Sequence, residues 1–252
     1  MRFETEALAK LLLDKDARVR KWAAESMCSH AKENARDSSL REVLRLDPDP
    51  KVRAVAARCP KTLGDDPIFV LKTALKDGNL GVRLAAIQGL SELTDETGKA
   101  VLEDMAKGPL DESAVAAASE LARLGGALGK ERLNAALADE RAAIRQAAIL
   151  QLDRSGMENR DEILIRMLDD GAPEVIILAA SMLSSREDVE PTVTKALKKI
   201  VDMNVERSAE ARDMSAVLGD EDSLKKVSDI LKTGKPDELI SVLNRVQRAV
   251  AL

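Results

Sequence analysis

An amphipathic stripe that returns about every 31 residues constrains this chain more than any other feature. After a turn at 77–79, apolar residues stand at relative positions 0, +3, +4, +8 and +11, as Val82, Ala85, Ala86, Leu90 and Leu93. This spacing puts all five side chains on one face of an α-helix. The stripe recurs in both directions, starting at Val19, Val52, Ser113, Ile144 and Val175 and again, less completely, with Ala209, Met214 and Val217. The period predicts an all-α, right-handed α-solenoid of roughly seven to eight stacked helix pairs.

The predicted solenoid is a single domain over residues 1–252, because each helix pair in such a fold packs only against its neighbours. The aromatic content agrees with this architecture. The chain has one Trp, two Phe and no Tyr, and closely packed helices can be filled by Ala, Leu, Val and Ile instead. The helix pairs are predicted at 4–13 with 16–28, 37–46 with 49–58, 67–76 with 79–93, 96–107 with 111–124, 130–138 with 141–154, 159–169 with 173–185, and 190–202 with 206–218.

Three local features depart from the regular repeat. Asp49 followed by Pro50 predicts a helix start and Pro60 predicts an early end, so the curvature of the solenoid is expected to change near 59–66. Residues 221–252 keep a helical periodicity but lose the register, which is typical of a C-terminal capping pair. Trp22 stands at +3 of the second predicted helix and is expected to be buried at the end of the solenoid.

Charge and cysteine usage narrow the functional classes. The chain carries 39 basic and 44 acidic residues, a net charge of −5, which disfavours a broad surface for nucleic acid. Cys28 and Cys59 are the only two cysteines and are expected to be reduced thiols near helix ends. The sequence contains neither the apolar core of a signal peptide nor a long apolar span, which predicts a cytoplasmic protein without a membrane partner.

In four repeats an Asp stands five residues before a Val or Ile that is followed by Arg: Asp14 with Arg20, Asp47 with Arg53, Asp77 with Arg83, and Asp139 with Arg145. Such an Asp can accept hydrogen bonds from backbone N–H groups at the start of the second helix of its pair. Each Arg can reach the Asp of an adjacent repeat, which predicts an Asp–Arg ladder along the stacked repeats. Ala114 and Ile176 stand where the Arg is expected and should interrupt the ladder. A phosphate-binding row of arginines is the alternative role for the same side chains.

The recurring Asp and Val-Arg pattern resembles the HEAT family, especially the short HEAT-like repeats of phycobilisome lyase subunits. The resemblance implies a helical solenoid over nearly the whole chain and indicates little about function. The segment 47–60 also resembles a leucine-rich repeat variant unit, a class that can carry an N-terminal cysteine cluster for an iron–sulfur centre. With two cysteines in the whole chain, that centre is not expected here.

The residue types required for common catalytic sites are missing. HEAT-like hydroxylases bind iron through paired His-Glu motifs, but His30 is the only histidine, so neither a metal site nor a His-activated nucleophile is expected. HEAT-like alkylpurine glycosylases hold DNA with aromatic side chains, which this chain largely lacks. The acidic pairs at 169–170 and 221–222 are expected to be ordinary surface residues. No cofactor is therefore predicted.

The predicted binding face lies opposite the buried stripe, at positions +2, +6 and +9 of the second helices. The resemblance to HEAT solenoids implies that this face lines the concave side. The +6 row reads Glu25, Arg58, Gln88, Ser119, Leu150, Ser181 and Arg212. The middle of this face is more apolar than a solvated surface requires, which favours an interaction site. The predicted partner-binding residues are Leu84, Gln88, Val115, Gln146, Leu150 and Ile177. The alternative is that neighbouring helices cover these side chains.

Together these features predict a non-enzymatic protein-binding scaffold or adaptor whose concave face holds a helix or an extended peptide of another protein. One alternative is an enzyme-associated accessory subunit of the lyase type. A glycosylase-like protein that binds nucleic acid is a less favoured alternative. The sequence does not identify the partner, the pathway or the oligomeric state.

Overall fold

The computed structural model describes residues 2–30, 38–93, 96–183, 190–202, 208–217, 220, 222–223 and 225–227. All regular structure in these residues is helical, which confirms the predicted α-solenoid class, and the helices end within about three residues of their predicted limits. They are α1 (Arg2–Leu11), α2 (Ala17–Ser29), α3 (Ser39–Leu46), α4 (Pro50–Ala57), α5 (Pro67–Ala74), α6 (Leu80–Glu92), α7 (Glu96–Lys107), α8 (Glu112–Arg123), α9 (Ala127–Leu137), α10 (Ala142–Ser155), α11 (Arg160–Met167), α12 (Pro173–Leu183), α13 (Glu190–Asp202) and α14 (Ser208–Val217). A short 3-10 turn, Pro60–Thr62, follows α4.

The helices belong to two compact units. The first unit comprises residues 1–136 and 154–156, and the second comprises residues 137–153 and 157–252. In the first unit, α1 packs on α2, α3 on α4, α5 on α6 and α7 on α8, while α2, α4, α6 and α8 contact one another in series. In the second unit, α11 packs on α12, α13 on α14, and α12 also contacts α13. A single continuous solenoid over 1–252 stays a prediction.

The predicted stripe of α6 forms core in the first unit. Val82, Ala85, Ala86 and Leu90 are buried, and they belong to one cluster of apolar side chains that extends from α1 to α8. Gly89 shows how closely the helices approach, since a Cβ atom there would lie 2.2 Å from the carbonyl oxygen of Ala57 in α4. Contact of this kind requires a glycine. It explains why a residue that weakens an isolated helix stands in the middle of α6.

The turns on either side of α4 carry the predicted start and stop signals. Asp49 caps α4 by accepting a hydrogen bond from the backbone N–H of Lys51 at 2.7 Å, and Pro60 begins the 3-10 turn. Gly64 follows with φ +87°, a conformation that glycine adopts without strain. The change of curvature near 59–66 stays a prediction. The predicted capping pair at 221–252 lies outside the described residues, apart from 222–223 and 225–227.

Two predictions about the first repeats are wrong. Trp22 is 57% exposed, because the face of α2 that packs on α1 and α4 is filled by Ala23, Ala24 and Met27 instead. Cys28 and Cys59 are not reduced thiols but form a disulfide, with their Cα atoms 5.6 Å apart. The bond joins the last turn of α2 to the residue before the 3-10 turn. Because α2 and α4 pack against each other, two cysteines near their ends come within bonding distance.

Candidate functional site

The Asp and Arg side chains of the first repeats connect successive helix pairs. Arg20 of α2 donates from Nε and Nη2 to the two carboxylate oxygens of Asp47, at 2.7 and 2.9 Å. Arg53 of α4 makes the same two-pronged contact with Asp77, at 2.9 and 3.0 Å. A guanidinium that pairs with both oxygens of a carboxylate forms the strongest and most directional kind of ion pair. These contacts follow the predicted geometry, in which each Arg reaches the Asp of the next repeat.

The same arginines also hold the turn of their own repeat. The Nη1 atom of Arg53 donates to the carbonyl oxygen of Asp47 at 2.8 Å, and that of Arg20 donates to the carbonyl oxygen of Asp14 at 2.9 Å. The Asp carboxylates accept from the backbone N–H two residues later, as Asp77 does from Asn79 at 2.8 Å. This N–H belongs to the turn before the helix rather than to the first helical turn, where the sequence suggested it would be.

The contact pattern changes where the repeat sequence changes. Gly108 occupies the Asp position that Arg83 would otherwise reach, and Arg83 instead contacts Ser113 Oγ at 3.4 Å. In the second unit, Arg145 pairs with Asp170 at 2.7 and 2.8 Å. Asp170 was expected to be an ordinary surface residue, and that prediction is wrong. It stands five residues before Val175, at the Asp position of its repeat, so the regular spacing contained the signal.

The pairing changes the acidity of the carboxyl groups. Burial alone would raise the pKa of Asp47, but hydrogen bonds from Arg20 and from the backbone hold it below its ordinary value of 3.8. The pKa of Asp77 is lowered mainly by its hydrogen bond from Arg53. Asp139 pairs with the exposed Arg141, whose hydrogen bonds lower the pKa of Asp139 to about 2. All three side chains are therefore ionised at neutral pH.

The predicted apolar binding row is not a continuous exposed surface. Val115 is 0% exposed because α8 lies against α6 and α7 and is approached on a further side by Gly129 of α9. Ile177 is also buried, within α12, which packs against α11, α13 and α14. The prediction that these two side chains are exposed anchors is wrong. In α8 and α12 the neighbouring helices cover the +2 position as well as the core stripe.

The other predicted binding residues remain accessible to different degrees. Leu84 and Gln88 of α6 are half-buried in the first unit. In the second unit Gln146 is half-buried and its Nε2 donates to the carbonyl oxygen of Glu174 at 3.2 Å, while Leu150 is 59% exposed. Leu84 and Gln88 belong to the first unit, whereas Gln146 and Leu150 belong to the second. Gln88 lines a cavity of the first unit.

That cavity, called here the basic cavity, has a volume of about 390 Å³ and belongs to the first unit. It opens at the ends of α2, α4 and α6, where the +6 positions of α4 and α6 meet the disulfide and the 3-10 turn. Three of its side chains are basic and one is a carboxylate. The lining residues are Cys28, Arg58, Cys59, Pro60, Lys61, Gln88, Glu92 and Arg154.

Local structure explains part of this charge arrangement. Arg58 is the C-cap residue of α4, and a cation is favourable near the negative end of a helix dipole. The dipole of α4 does not account for the other cations, which come from the 3-10 turn and from the end of α10. Basic groups from three segments converge on one opening. Such a convergence suits an anionic group that enters the cavity and can contact several of them at once.

A buried carboxylate lies beside Arg154 and was not foreseen from the sequence. Glu120 of α8 is 1% exposed and accepts hydrogen bonds from Ser91 Oγ at 2.8 Å, from Arg123 Nε at 2.8 Å and from Arg154 Nε. Ser91 Oγ also lies 2.8 Å from the carbonyl oxygen of Gln88, and its single proton is donated to one of these two acceptors at a time. This network positions Arg154 at the cavity wall. The position of Glu120 after the Ala-rich run of α8 was the available signal, since a buried carboxylate requires a partner.

A second cavity of about 470 Å³ lies beside α3 and α5 and is called here the α3/α5 groove. Phe69, which is 62% exposed, lines it together with apolar and basic side chains. Its acidic residue, Asp77, already pairs with Arg53. The groove is built from first helices, whereas the basic cavity contains two residues of the predicted binding face.

Two structural searches bear on other classes of function. Within the described ranges, no group of three or more His, Cys, Asp or Glu side chains is arranged to hold a metal ion. Among the helices of the described part of the chain, none combines the length and the apolar composition needed to cross a membrane.

Several known proteins are similar to this chain. The HEAT repeats family profile matches residues 38–122. The complex of CpcE and CpcF of phycocyanin lyase from Nostoc sp. PCC7120 is similar at 19% identity over 97% of this chain and 94% of that chain, with a TM-score of 0.44. Escherichia coli YibA is similar at 19% identity over 96% and 92%, with a TM-score of 0.44. An engineered protein is 18% identical over 98% and 78%, with a TM-score of 0.36. No curated protein sequence gives a significant match.

Proposed function

We propose that this chain, of which residues 38–122 match the HEAT repeats family, is a non-enzymatic, cytoplasmic scaffold or adaptor that binds another protein at the basic cavity. The partner contributes an acidic side chain or a terminal carboxylate that enters the cavity. A helix or extended peptide carries that group and lies across the neighbouring second helices. The observation that carries the proposal is the set of three basic side chains around an opening of about 390 Å³.

The chemistry of the lining favours a carboxylate-bearing peptide. Arg58 is exposed, and no described carboxylate forms an ion pair with its guanidinium, so its donors are available to a ligand. A guanidinium can bind both oxygens of a carboxylate, whereas Gln88 can offer a donor and an acceptor to a peptide backbone. Glu92 on the rim would disfavour a ligand with a high density of negative charge, such as a polyphosphate.

The apolar part of the proposed interface is smaller than the sequence suggested. Val115 and Ile177 are buried and cannot contact a partner. Of the predicted binding residues, Gln88 lines the cavity, and Leu84 lies on the same helix, α6. Electrostatic contacts would therefore contribute more to recognition than an apolar strip would. An interface of this composition is expected to weaken as the salt concentration rises, because exposed charges are screened.

The test is partner capture by wild-type protein and by the charge reversal Arg58→Glu. The wild type is expected to retain a partner from native cell extract at low salt and to release it as the salt concentration rises. Arg58→Glu is expected to lose that partner, because it places a carboxylate where the ligand's carboxylate would bind. Since Arg58 is exposed, the helical circular dichroism signal and the thermal melt should stay close to wild type.

The matched control is Arg45→Glu, which reverses the charge of another exposed arginine in the same unit. Arg45 lines the α3/α5 groove rather than the basic cavity. This control should retain the partner. If both variants lose the partner equally, or if neither does, the basic cavity is not the binding site.

A further inference from the structure

The disulfide of this protein lies in the wall of the basic cavity. Both Cys28 and Cys59 line the opening, and Cys28 is the more exposed of the two, since Cys59 is buried. A disulfide that only cross-links a core has no need of an adjoining cavity. One that borders an open, charged cavity can be reached by a thiolate, which is what exchange requires.

Basic side chains flank this bond from both directions. Arg58 directly precedes Cys59, Lys61 follows it after Pro60, and Arg154 reaches the same cavity from α10. A nearby cation stabilises a thiolate relative to a thiol, which makes Cys59 a better leaving group. The same cations attract an incoming thiol that carries a carboxylate. The two effects therefore favour the same reaction at the same place.

We propose that the basic cavity is a thiol–disulfide exchange site whose substrate is a thiol compound bearing a carboxylate. The reaction changes the protein stoichiometrically, from a disulfide form to a dithiol form. It depends on the cavity and its charges and does not depend on the partner protein proposed above. In the cytoplasm, disulfides are usually transient and redox-sensing rather than structural, which agrees with such a role.

The exchange proceeds in two balanced steps. The substrate thiol loses its proton to solvent, and its thiolate attacks Cys28 Sγ. A new sulfur–sulfur bond forms as the Cys28–Cys59 bond breaks, and the electron pair leaves with Cys59 Sγ, which takes up a proton. A second substrate thiolate then attacks the substrate sulfur of this mixed disulfide and releases Cys28 as a thiol. Two substrate thiols are thus oxidised to one disulfide, and the protein disulfide is reduced to two thiols.

The choice of Cys28 as the attacked sulfur follows from access. The nucleophile must approach along the extension of the sulfur–sulfur bond. Because Cys59 is 4% exposed and Cys28 is half-buried, approach to Cys28 displaces less of the protein. This order also leaves the developing negative charge on Cys59, between Arg58 and Lys61 in the sequence. The proposal therefore specifies both the class of substrate and the residue that carries the mixed disulfide.

The experiment compares three small thiols on the folded, oxidised full chain: 3-mercaptopropionate, 2-mercaptoethanol and cysteamine, which carry a negative, a neutral and a positive group. Rates are expressed per thiolate to remove differences in thiol pKa. At low salt the carboxylate thiol is expected to react roughly 3- to 10-fold faster than the neutral one, the effect of about one charge interaction near a surface. Cysteamine should be the slowest. Alkylation and peptide mapping of the trapped intermediate should locate the adduct on Cys28.

Variants test whether the cavity causes the expected order of reaction rates among the three thiols. Arg58→Gln is expected to reduce the preference for the carboxylate thiol, whereas the matched Arg45→Gln in the α3/α5 groove should leave it unchanged. Equal rates per thiolate for the three probes would overturn the proposal, as would a faster reaction with cysteamine. It would also be overturned by an adduct on Cys59, or by reduction that occurs only when denaturant unfolds the chain. The wild-type comparison decides the matter even if the Arg58 variant folds poorly.

Discussion

Replacing Arg53 by Ala should destabilise the protein more than the same change at Arg83, although both residues occupy the same position in their repeats. Arg53 binds both carboxylate oxygens of Asp77 at 2.9 and 3.0 Å and a backbone carbonyl at 2.8 Å. Arg83 has the carbonyl contact, at 3.0 Å, but only a 3.4 Å contact with Ser113 in place of the carboxylate. Comparing the two variants therefore isolates the contribution of the ion pair between Arg53 and Asp77.

The magnitudes follow from what each change leaves behind. Arg53→Ala removes charge-assisted hydrogen bonds and leaves Asp77, whose side chain is 15% exposed, without its partner. Hydrogen bonds to charged groups contribute about 1.5–3 kcal/mol each, so a loss of about 2–4 kcal/mol is expected after allowance for water reaching the site. Arg83→Ala should cost about 1–2 kcal/mol, because it removes one carbonyl contact of a partly exposed guanidinium and breaks no ion pair with the next repeat. Arg18→Ala, at a highly exposed pair, should cause no measurable change.

The assay is urea unfolding of each purified variant, followed by circular dichroism at 222 nm, with equal slopes required before free energies are compared. Leu90→Ala supplies the reference for a core truncation and should cost about 2–5 kcal/mol. If Arg83→Ala lowers the free energy of unfolding as much as Arg53→Ala does, the contact with the next repeat contributes nothing beyond the carbonyl contact. The account of the ladder would then be refuted.

Four further outcomes are expected. Replacing Cys28 and Cys59 together by Ser should lower the free energy of unfolding by about 3–4 kcal/mol in the chain-entropy model, measured by urea titration against the oxidised wild type. Glu120→Ala should cost about 1.5–3 kcal/mol in the same titration, because it removes the acceptor of charge-assisted hydrogen bonds from Arg123 and Arg154, whose partly exposed guanidinium groups water can still reach. Gly89→Ala should lower the melting temperature, since no space exists for the added methyl group. Because the pKa of Asp77 is lower in the folded state than its ordinary 3.8, its contribution to stability is complete above that value and is lost as the pH falls through the lowered pKa, so Asp77→Asn should show a flatter stability profile in acid.

The sequence predicted those parts of the fold that depend on local spacing. Helix limits follow from the period of the stripe and from turn residues such as Asp49 and Pro60. These residues affect the backbone only a few positions away in the chain. The reach from Arg53 to Asp77 follows from the same regularity, because each repeat presents the same side chain at the same place. In a repeat protein, residues at the same position of successive repeats lie close together in the fold. The ion pairs between repeats could therefore be predicted from the local pattern.

The missed features depend on contacts between helices that the stripe does not specify. Val115 and Ile177 are covered because their helices have neighbours on several sides, and the number of neighbours is a property of the stack. The disulfide was missed because two cysteines were judged by their number alone. Their separation of 31 residues is close to the repeat period, which places Cys28 and Cys59 near the ends of adjacent helices. That spacing was the available signal.

The basic cavity as the site for an acidic segment of another protein is tested most directly by site-specific photo-crosslinking. A photoreactive amino acid replaces Gln88 in one variant and Phe69 of the α3/α5 groove in another, and crosslinked peptides from native extract are sequenced. The account predicts that position 88 captures a segment rich in Asp or Glu, and that adding Arg58→Glu abolishes the capture. Capture at position 69 but not at 88, or a captured segment without acidic residues, would contradict it.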